Sequence, residues 1–272
     1  MPLLKRTLLL AAMYAAVTSA AFGHDDRDHD HGHGHGHGSD LTGINVLLVH
    51  GAFADGNSWS KVIPLLEARG LHVVAVQNPL SSLAEDAATT ERAIEQQKGP
   101  VVLVGHSWAG VVITEAGNDD KVKELVYVDA FAPDSGQSIN DLLAGLPSPA
   151  YAPLFIADSA GFLTLPESAL GTYFAQDLPK DELHVLSATQ GPWAQRCFAD
   201  KVSRAAWHDK PSIWVIGTQD RFIAPALQEK LAATVGAAVI RVPSSHVSLL
   251  SHPRVVADAI IAAAEDTASA TH

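Results

Sequence analysis

Cysteine and basic residues are both scarce in this sequence. Cys197 is the single cysteine among 272 residues, which excludes a fold held by internal disulfides. We interpret it as a packed side chain on an amphipathic helix rather than as a nucleophile.

Basic residues are outnumbered by acidic ones: the sequence has 18 Lys and Arg and 30 Asp and Glu, and no long basic run is present. The formal net charge of −12 therefore argues against nucleic acid as a partner, because neutralising phosphates requires clustered cations.

The apolar stretch near the N-terminus, from Leu8 to Val17, is too short to span a bilayer comfortably. It follows two basic residues, Lys5 and Arg6, and precedes small residues suited to signal-peptidase cleavage between positions 20 and 23. We predict that residues 1–23 are a secretory signal peptide and that the mature protein, periplasmic or extracellular, has no stable membrane span. An uncleaved membrane anchor is the alternative.

Residues 24–42 are rich in His, Asp and Gly and have almost nothing to bury. Six of the 14 histidines lie between His24 and His37. The composition predicts a disordered linker. Imidazoles and carboxylates this close together also suit adventitious capture of Zn, Ni or Cu, although no rigid geometry would fix a coordination number. We therefore expect no built metal site in this protein.

From residue 43 to residue 272 the sequence alternates between two periodicities, which predicts one large domain. Continuous apolar runs predict buried strands at 44–50, 71–76, 101–105, 124–129, 212–217 and 237–242. Helical spacing lies between them at 59–70, 83–97, 107–117, 225–236 and 253–266. This order predicts an α/β fold with a mainly parallel sheet and helices on both faces. Reactive groups then gather at the carboxyl ends of the strands.

One interval, at about 134–206, interrupts the alternation. Its segments read as helices separated by Pro and Gly, so we expect a helical lid inserted after the fourth strand. Six aromatic residues in it exceed what short surface helices need: Tyr151, Phe155, Phe162, Tyr173, Phe174 and Trp193. We expect most of them to attach the lid to the body and one or two, Trp193 among them, to contact the substrate.

The segment VVLVGHSWAG carries a serine, Ser107, directly after a buried strand and before an apolar helix. Such a sharp turn pushes the hydroxyl toward the open edge of the sheet, and the helix that follows points free backbone N–H groups at any charge formed there. A Gly-x-Ser-x-Gly/Ala pattern alone is weak, but its position between strand and helix makes it specific. We therefore predict that Ser107 is a nucleophile.

A serine nucleophile needs a base and an acid that orients the base. His246 follows the last predicted strand, so we favour it as the base over His252 at the start of the last helix. Asp220 follows the fifth strand and Asp129 ends the fourth, and either fits the chain order Ser, Asp, His. We favour Asp220 and keep Asp129 as the alternative.

The loop after the first strand, HGAFADGNSW, is the expected source of a second oxyanion donor. Gly51 would let this backbone approach the nucleophile, so that the backbone N–H groups of Ala52 and Trp108 converge on one oxygen. Phe53 would then face the substrate together with Trp193. His50 is expected to fix the loop by hydrogen bonds.

Several segments between residues 43 and 266 resemble the α/β-hydrolase superfamily, and within it the lidded branch of plant methyl-salicylate-type esterases, hydroxynitrile lyases and bacterial carboxylesterases: HGAFADGNSW, GHSWAG, VDAFAPDSG, GTQDRFI and SSHVSLLSHP. The resemblance implies an α/β-hydrolase domain in which Ser107 is the nucleophile, His246 the base and Asp220 the acid. It also implies backbone donors at Ala52 and Trp108.

The sequence departs from this branch in places that bear on its chemistry. The nucleophile motif ends in Ala109 where Gly is usual. Lyases of this branch are typified by a Lys after the base histidine and a Thr after the first strand's histidine, whereas Val247 and Gly51 stand there in this chain. Cyanohydrin cleavage is therefore disfavoured.

The sequence thus predicts a serine hydrolase that cleaves small or medium apolar carboxylic esters through an acyl-enzyme, without a cofactor. Two alternatives remain: a lyase or cofactor-free perhydrolase that uses the same triad, or a metal-scavenging binding protein on a hydrolase scaffold.

Overall fold

A computed structural model describes residues 41–271 of the chain. The predicted signal peptide at 1–23 and nearly all of the predicted linker at 24–42 lie outside the described residues. Leu41 is 1% exposed and belongs to the hydrophobic core, although its position was assigned to the linker. Within the described range, no helix combines the length and apolarity needed to cross a bilayer.

Strands and helices alternate through the chain as the sequence predicts. The strands are β1 (Asn45–Val49), β2 (His72–Val76), β3 (Val101–His106), β4 (Val122–Val128), β5 (Ile156–Ala157), β6 (Phe162–Thr164), β7 (Trp193–Ala194), β8 (Ser212–Gly217) and β9 (Ala238–Val242). The helices are α1 (Ile63–Glu67), α2 (Leu83–Glu95), α3 (Ala109–Ala116), α4 (Ile139–Leu143), α5 (Glu167–Ala169), α6 (Lys180–Thr189), α7 (Pro225–Val235), α8 (Ser248–Ser251) and α9 (Pro253–Thr271).

Six of these strands form one parallel sheet in the order β2-β1-β3-β4-β8-β9. Every residue of β1 and β3 is buried, which explains their continuous apolar runs. The chain crosses from β2 over β1 to β3, so the loops that follow β1 and β3 leave the sheet side by side. In open α/β sheets such a switch in strand order is where ligands bind.

Two helix pairs cover the sheet, and the predicted α/β architecture is confirmed. Helices α2 and α3 pack against each other, as do α1 and α9, and α9 also contacts β3, β4 and β8. The predicted helix at 59–70 was too long, because the structure has a 3₁₀ turn at Gly56–Trp59 and then α1. Pro64 lies in the first turn of α1, where a missing N–H costs nothing.

Residues 129–211 connect β4 to β8, and we call them the insert. They contain α4, α5 and α6 at the place where a helical lid was expected. The sequence analysis missed β5, β6 and β7, which form a small antiparallel sheet in the same segment. These strands are two or three residues long, too short to produce an alternating pattern in the sequence. Cys197 is buried as predicted, yet it lies in the 3₁₀ turn Gln195–Phe198 rather than in an amphipathic helix.

Candidate active site

Ser107 lies in the tight turn that joins β3 to α3. Its backbone φ of +56° falls in the left-handed region, which is strained for any residue with a Cβ. Gly105 makes the turn sterically feasible, since a Cβ there would lie 2.5 Å from the carbonyl oxygen of Ala109. The small side chain of Ala109 is fully buried. The turn points the hydroxyl of Ser107 away from the sheet, toward the insert.

A continuous hydrogen-bonded chain links Ser107 to two other buried side chains. The Ser107 Oγ hydroxyl and His246 Nε2 are 2.8 Å apart, and His246 Nδ1 lies 2.8 Å from Asp220 Oδ2. This network is consistent with a neutral imidazole that donates through Nδ1–H to Asp220 and accepts through Nε2 from the hydroxyl. The predicted alternative base, His252, instead bonds to Ser251 Oγ.

Asp220 is the most heavily hydrogen-bonded carboxylate of the site. Its Oδ1 accepts from the backbone N–H groups of Phe222 and Ile223 at 2.7 and 2.9 Å. Its Oδ2 accepts from Gln228 Nε2 at 2.7 Å as well as from His246. Burial raises the pKa of Asp220, and these hydrogen bonds act in the opposite direction by favouring the ionised form. Burial lowers the pKa of His246, so the imidazole remains neutral at neutral pH.

Asp129 occupies a different position from the one an orienting acid would need. Its Oδ1 accepts from Gly217 N–H at 2.7 Å, and its Oδ2 accepts from the N–H and hydroxyl of Ser248 at 3.1 and 2.5 Å. Burial, and secondarily the nearby charge of Asp220, raise the pKa of Asp129. Asp129 therefore joins the end of β8 to the segment after His246 and makes no hydrogen bond to that imidazole.

Gly51 brings the loop after β1 against the nucleophile. A Cβ at Gly51 would lie 2.8 Å from the Ser107 Cβ, so only glycine fits. Ala52 and Trp108 both line a small cavity at Ser107, and within residues 41–271 neither of their backbone N–H groups donates a hydrogen bond. Two free N–H groups beside the hydroxyl can donate hydrogen bonds to an oxygen that becomes negative and so stabilise it.

The cavity at Ser107 measures about 20 Å³ and is enclosed by aromatic side chains. Phe53 lines this cavity and contacts three other lining rings, with its ring centroid 5.7 Å from Phe155, 5.9 Å from Trp193 and 6.2 Å from Phe222. The predicted contact residues Phe53 and Trp193 thus both line it. Of the six aromatic residues named in the sequence analysis, Tyr151, Phe155 and Trp193 line it, more than the one or two expected. A volume of this size admits one water molecule and no ester.

Three residues of the site escaped the sequence analysis, namely Asp86, His106 and Phe222. Asp86 Oδ2 accepts from Trp108 Nε1 at 2.8 Å, and Asp86 Oδ1 accepts from Leu80 N–H at 2.8 Å. His106 Nε2 is 2.8 Å from the carbonyl oxygen of His246. The Phe222 ring packs against the His246 ring at a centroid distance of 5.0 Å, with the two ring planes tilted by 41°. Burial raises the pKa of Asp86 to about 6, against the opposing effect of its hydrogen bonds.

A comparison of the sequence with known families gives a result that agrees with this geometry. Residues 46–259 match the profile of the alpha/beta hydrolase family. The chain belongs to that family. The resemblance noted from the sequence motifs is therefore confirmed.

Known proteins similar to this chain include esterases and other hydrolases. Methylesterase 2 of Arabidopsis thaliana is 25% identical over 251 residues, which cover 81% of this chain and 95% of the relative. A pyrethroid hydrolase of Sphingobium wenxiniae is 25% identical over 248 residues, covering 81% and 87%. The crystal structure of a pyrethroid hydrolase from Sphingobium faniae shares the fold with a TM-score of 0.71, at 22% identity and coverage of 82% and 98%. The chain is an α/β-hydrolase enzyme of the esterase type.

Proposed function

We propose that this protein is a serine esterase that hydrolyses carboxylic esters through an acyl-enzyme on Ser107. The observation that carries the proposal is the buried chain from Ser107 through His246 to Asp220, with both links at 2.8 Å. A serine hydroxyl is a weak nucleophile unless an oriented base removes its proton. This arrangement supplies the base, and Asp220 holds its tautomer.

In the first step, His246 Nε2 takes the proton of Ser107 as Oγ attacks the ester carbonyl carbon. The oxygen that becomes negative accepts hydrogen bonds from the backbone N–H groups of Ala52 and Trp108. Each such donor contributes roughly 3 kcal/mol to the stabilisation of the transition state. The protonated His246 then gives its proton to the leaving alcohol. In the second step, water gives a proton to His246 as its oxygen attacks the acyl carbon. The bond between the acyl carbon and Ser107 Oγ then breaks, His246 returns the proton to Oγ, and the acid is released.

The proposed substrates are small or medium esters that are apolar around the reacting carbonyl. Aromatic rings surround Ser107, and the cavity has no charged lining residue within the described part of the chain. We propose that Phe53 and Trp193 contact the substrate. Trp193 Nε1 is buried and has no hydrogen-bond partner among the described residues, so it is free to donate to a substrate oxygen. Relatives named as a methylesterase and a pyrethroid hydrolase are compatible with this class.

Covalent labelling tests the nucleophile directly. A fluorophosphonate probe should modify the protein once, as seen by intact mass, and release of p-nitrophenolate from p-nitrophenyl acetate should stop on labelling. Ser107→Ala should lose both the label and the hydrolysis. Ser168→Ala is a matched control, because Ser168 is an exposed serine on the insert. Labelling that persists in Ser107→Ala would refute the proposal.

We also propose that the protein is exported and that residues 1–23 are removed. Mass spectrometry of the mature chain from a periplasmic or culture fraction should give an N-terminus between positions 21 and 24.

Zinc titration before and after deletion of residues 24–38 tests adventitious metal capture. Unchanged zinc uptake after the deletion would show that the histidines of residues 24–38 do not capture the metal.

A further inference from the structure

A second, larger cavity lies next to the one that contains Ser107. This groove measures about 600 Å³, a size typical of small-molecule sites. One side is formed by the end of α4 and the insert residues that follow it, and the other by the start of α7. Its lining is mostly apolar and includes Leu142, Leu146, Pro149, Tyr173, Ala226 and Leu227.

The groove and the Ser107 cavity share a wall. Phe131, Leu143, Tyr151 and Phe222 line both spaces. Tyr151 stacks on Phe222 at a centroid distance of 4.1 Å, and its hydroxyl donates to the Phe222 carbonyl oxygen at 2.7 Å. Since the Ser107 cavity of about 20 Å³ cannot hold an ester, a substrate must displace part of its surroundings. Displacing this wall joins the reacting centre to the groove.

The groove carries positive charge in a strongly acidic protein. Among the described residues, its charged lining side chains are Arg221 and Lys230, and no carboxylate lines it, although the formal net charge of the chain is −12. Neither cation forms an ion pair with another described residue, and Arg221 donates to the carbonyl oxygen of Thr172 at 3.3 Å. The first turn of α7 also lines the groove and contains no acidic residue.

We propose that this groove is the distal substrate subsite of the esterase, and that it selects an apolar arm that ends in a carboxylate. The inference rests on the function proposed above, which supplies the reacting ester at Ser107. The arm passes the wall at Tyr151 and lies along the apolar lining. Its anionic end then pairs with Arg221 and Lys230 at the open rim.

A matched pair of esters tests this selectivity. The first is the mono-p-nitrophenyl ester of suberic acid, whose distal end is a carboxylate, and the second carries a primary amide at that end. The measured quantity is the ratio of kcat/KM for the carboxylate ester to that for the amide ester. The ratio should exceed one in the wild type and fall about three- to tenfold in the Arg221→Gln/Lys230→Gln variant, because exposed ion pairs are individually weak. Raising the salt concentration should also reduce the ratio.

The control variant, Lys98→Gln/Arg254→Gln, makes the same change in net charge at exposed positions that do not line the groove. It should keep the wild-type ratio. A wild-type ratio of one or less, or an equal fall in the control variant, would overturn the proposal.

Binding separates this proposal from the esterase mechanism. Calorimetry on Ser107→Ala should show tighter binding of octanoate than of octanamide, and the groove double variant should lose that difference. If neither ester is hydrolysed and no fluorophosphonate label forms, the proposed function is wrong, while the calorimetric comparison still decides whether the groove selects an anion. Equal binding of octanoate and octanamide would contradict the groove proposal.

Discussion

Replacing each of the two buried carboxylates by Asn should separate the roles of Asp220 and Asp129. In Asp220→Asn, the two backbone N–H groups that meet Oδ1 keep the amide oxygen on their side. The amide NH₂ then takes the place of Oδ2, which accepts hydrogen bonds from His246 Nδ1 and Gln228 Nε2 in the wild type. Donors therefore face donors at this position. The imidazole relieves this clash by moving its proton to Nε2, so it can no longer accept the proton of Ser107. We expect kcat to fall about 10⁴-fold, or roughly 5 kcal/mol.

Asp129→Asn should affect folding more than catalysis. The amide oxygen retains the contact with Gly217 N–H, while the NH₂ opposes the N–H of Ser248. One lost buried hydrogen bond lowers the free energy of unfolding by about 1–3 kcal/mol. Hydrolysis of p-nitrophenyl acetate and urea unfolding should be measured for both variants. Loss of turnover in Asp129→Asn with turnover retained in Asp220→Asn would refute the reasoning.

Three further predictions concern titration and buried contacts. Because burial lowers the pKa of His246 and only the neutral imidazole accepts a proton, kcat/KM should fall on acidification with a midpoint below 6.5; a midpoint above about 7.5 would contradict this. Burial, with a smaller contribution from Asp266, raises the pKa of Glu124 from 4.5 to about 7, so the native state loses stability as the pH rises through that range. Glu124→Gln should therefore raise the free energy of unfolding at pH 8 by about 1–2 kcal/mol, since solvent partly screens this carboxylate, and leave it nearly unchanged at pH 4, as measured by urea titration at both pH values. Asp86→Ala leaves two buried donors unpaired, one of them on Trp108, and should lower the free energy of unfolding by about 2–4 kcal/mol and also reduce kcat; unchanged values of both would show that this contact is dispensable.

The parallel sheet could be predicted because its central strands are buried on both faces. Each appears in the sequence as an uninterrupted apolar run that ends at a polar or glycine residue, as in 101–105. Ser107 and Asp220 lie just beyond two such runs, and His246 follows the edge strand β9, which is only partly buried. The three side chains are therefore expected together, since parallel strands end at one edge of the sheet. The structure brings these three side chains into hydrogen-bonding contact.

The small sheet of the insert and the choice of the acid could not be predicted, because both depend on tertiary contacts. Strands β5 to β7 are too short to leave a periodic signal, and β7 pairs with β6 from a distant part of the sequence. The sequence could not decide between Asp220 and Asp129 as the acid, because that choice depends on which of the two loops His246 approaches in the fold. Asp86 did leave a signal that was overlooked, since it lies on the buried face of α2 with Leu83 and Thr90. A charged residue at such a position indicates a specific partner.

The closed aromatic wall around Ser107 has a kinetic consequence. Any acylating reagent must wait for Tyr151 and its neighbours to separate, so the frequency of that motion limits the reaction whenever bond-making is faster. For an ester with a better leaving group, the rate of acylation would then rise by less than the reactivity of the ester predicts. Narrow reagents would react ahead of wide ones of equal intrinsic reactivity, and solvent viscosity would slow only the fastest substrates.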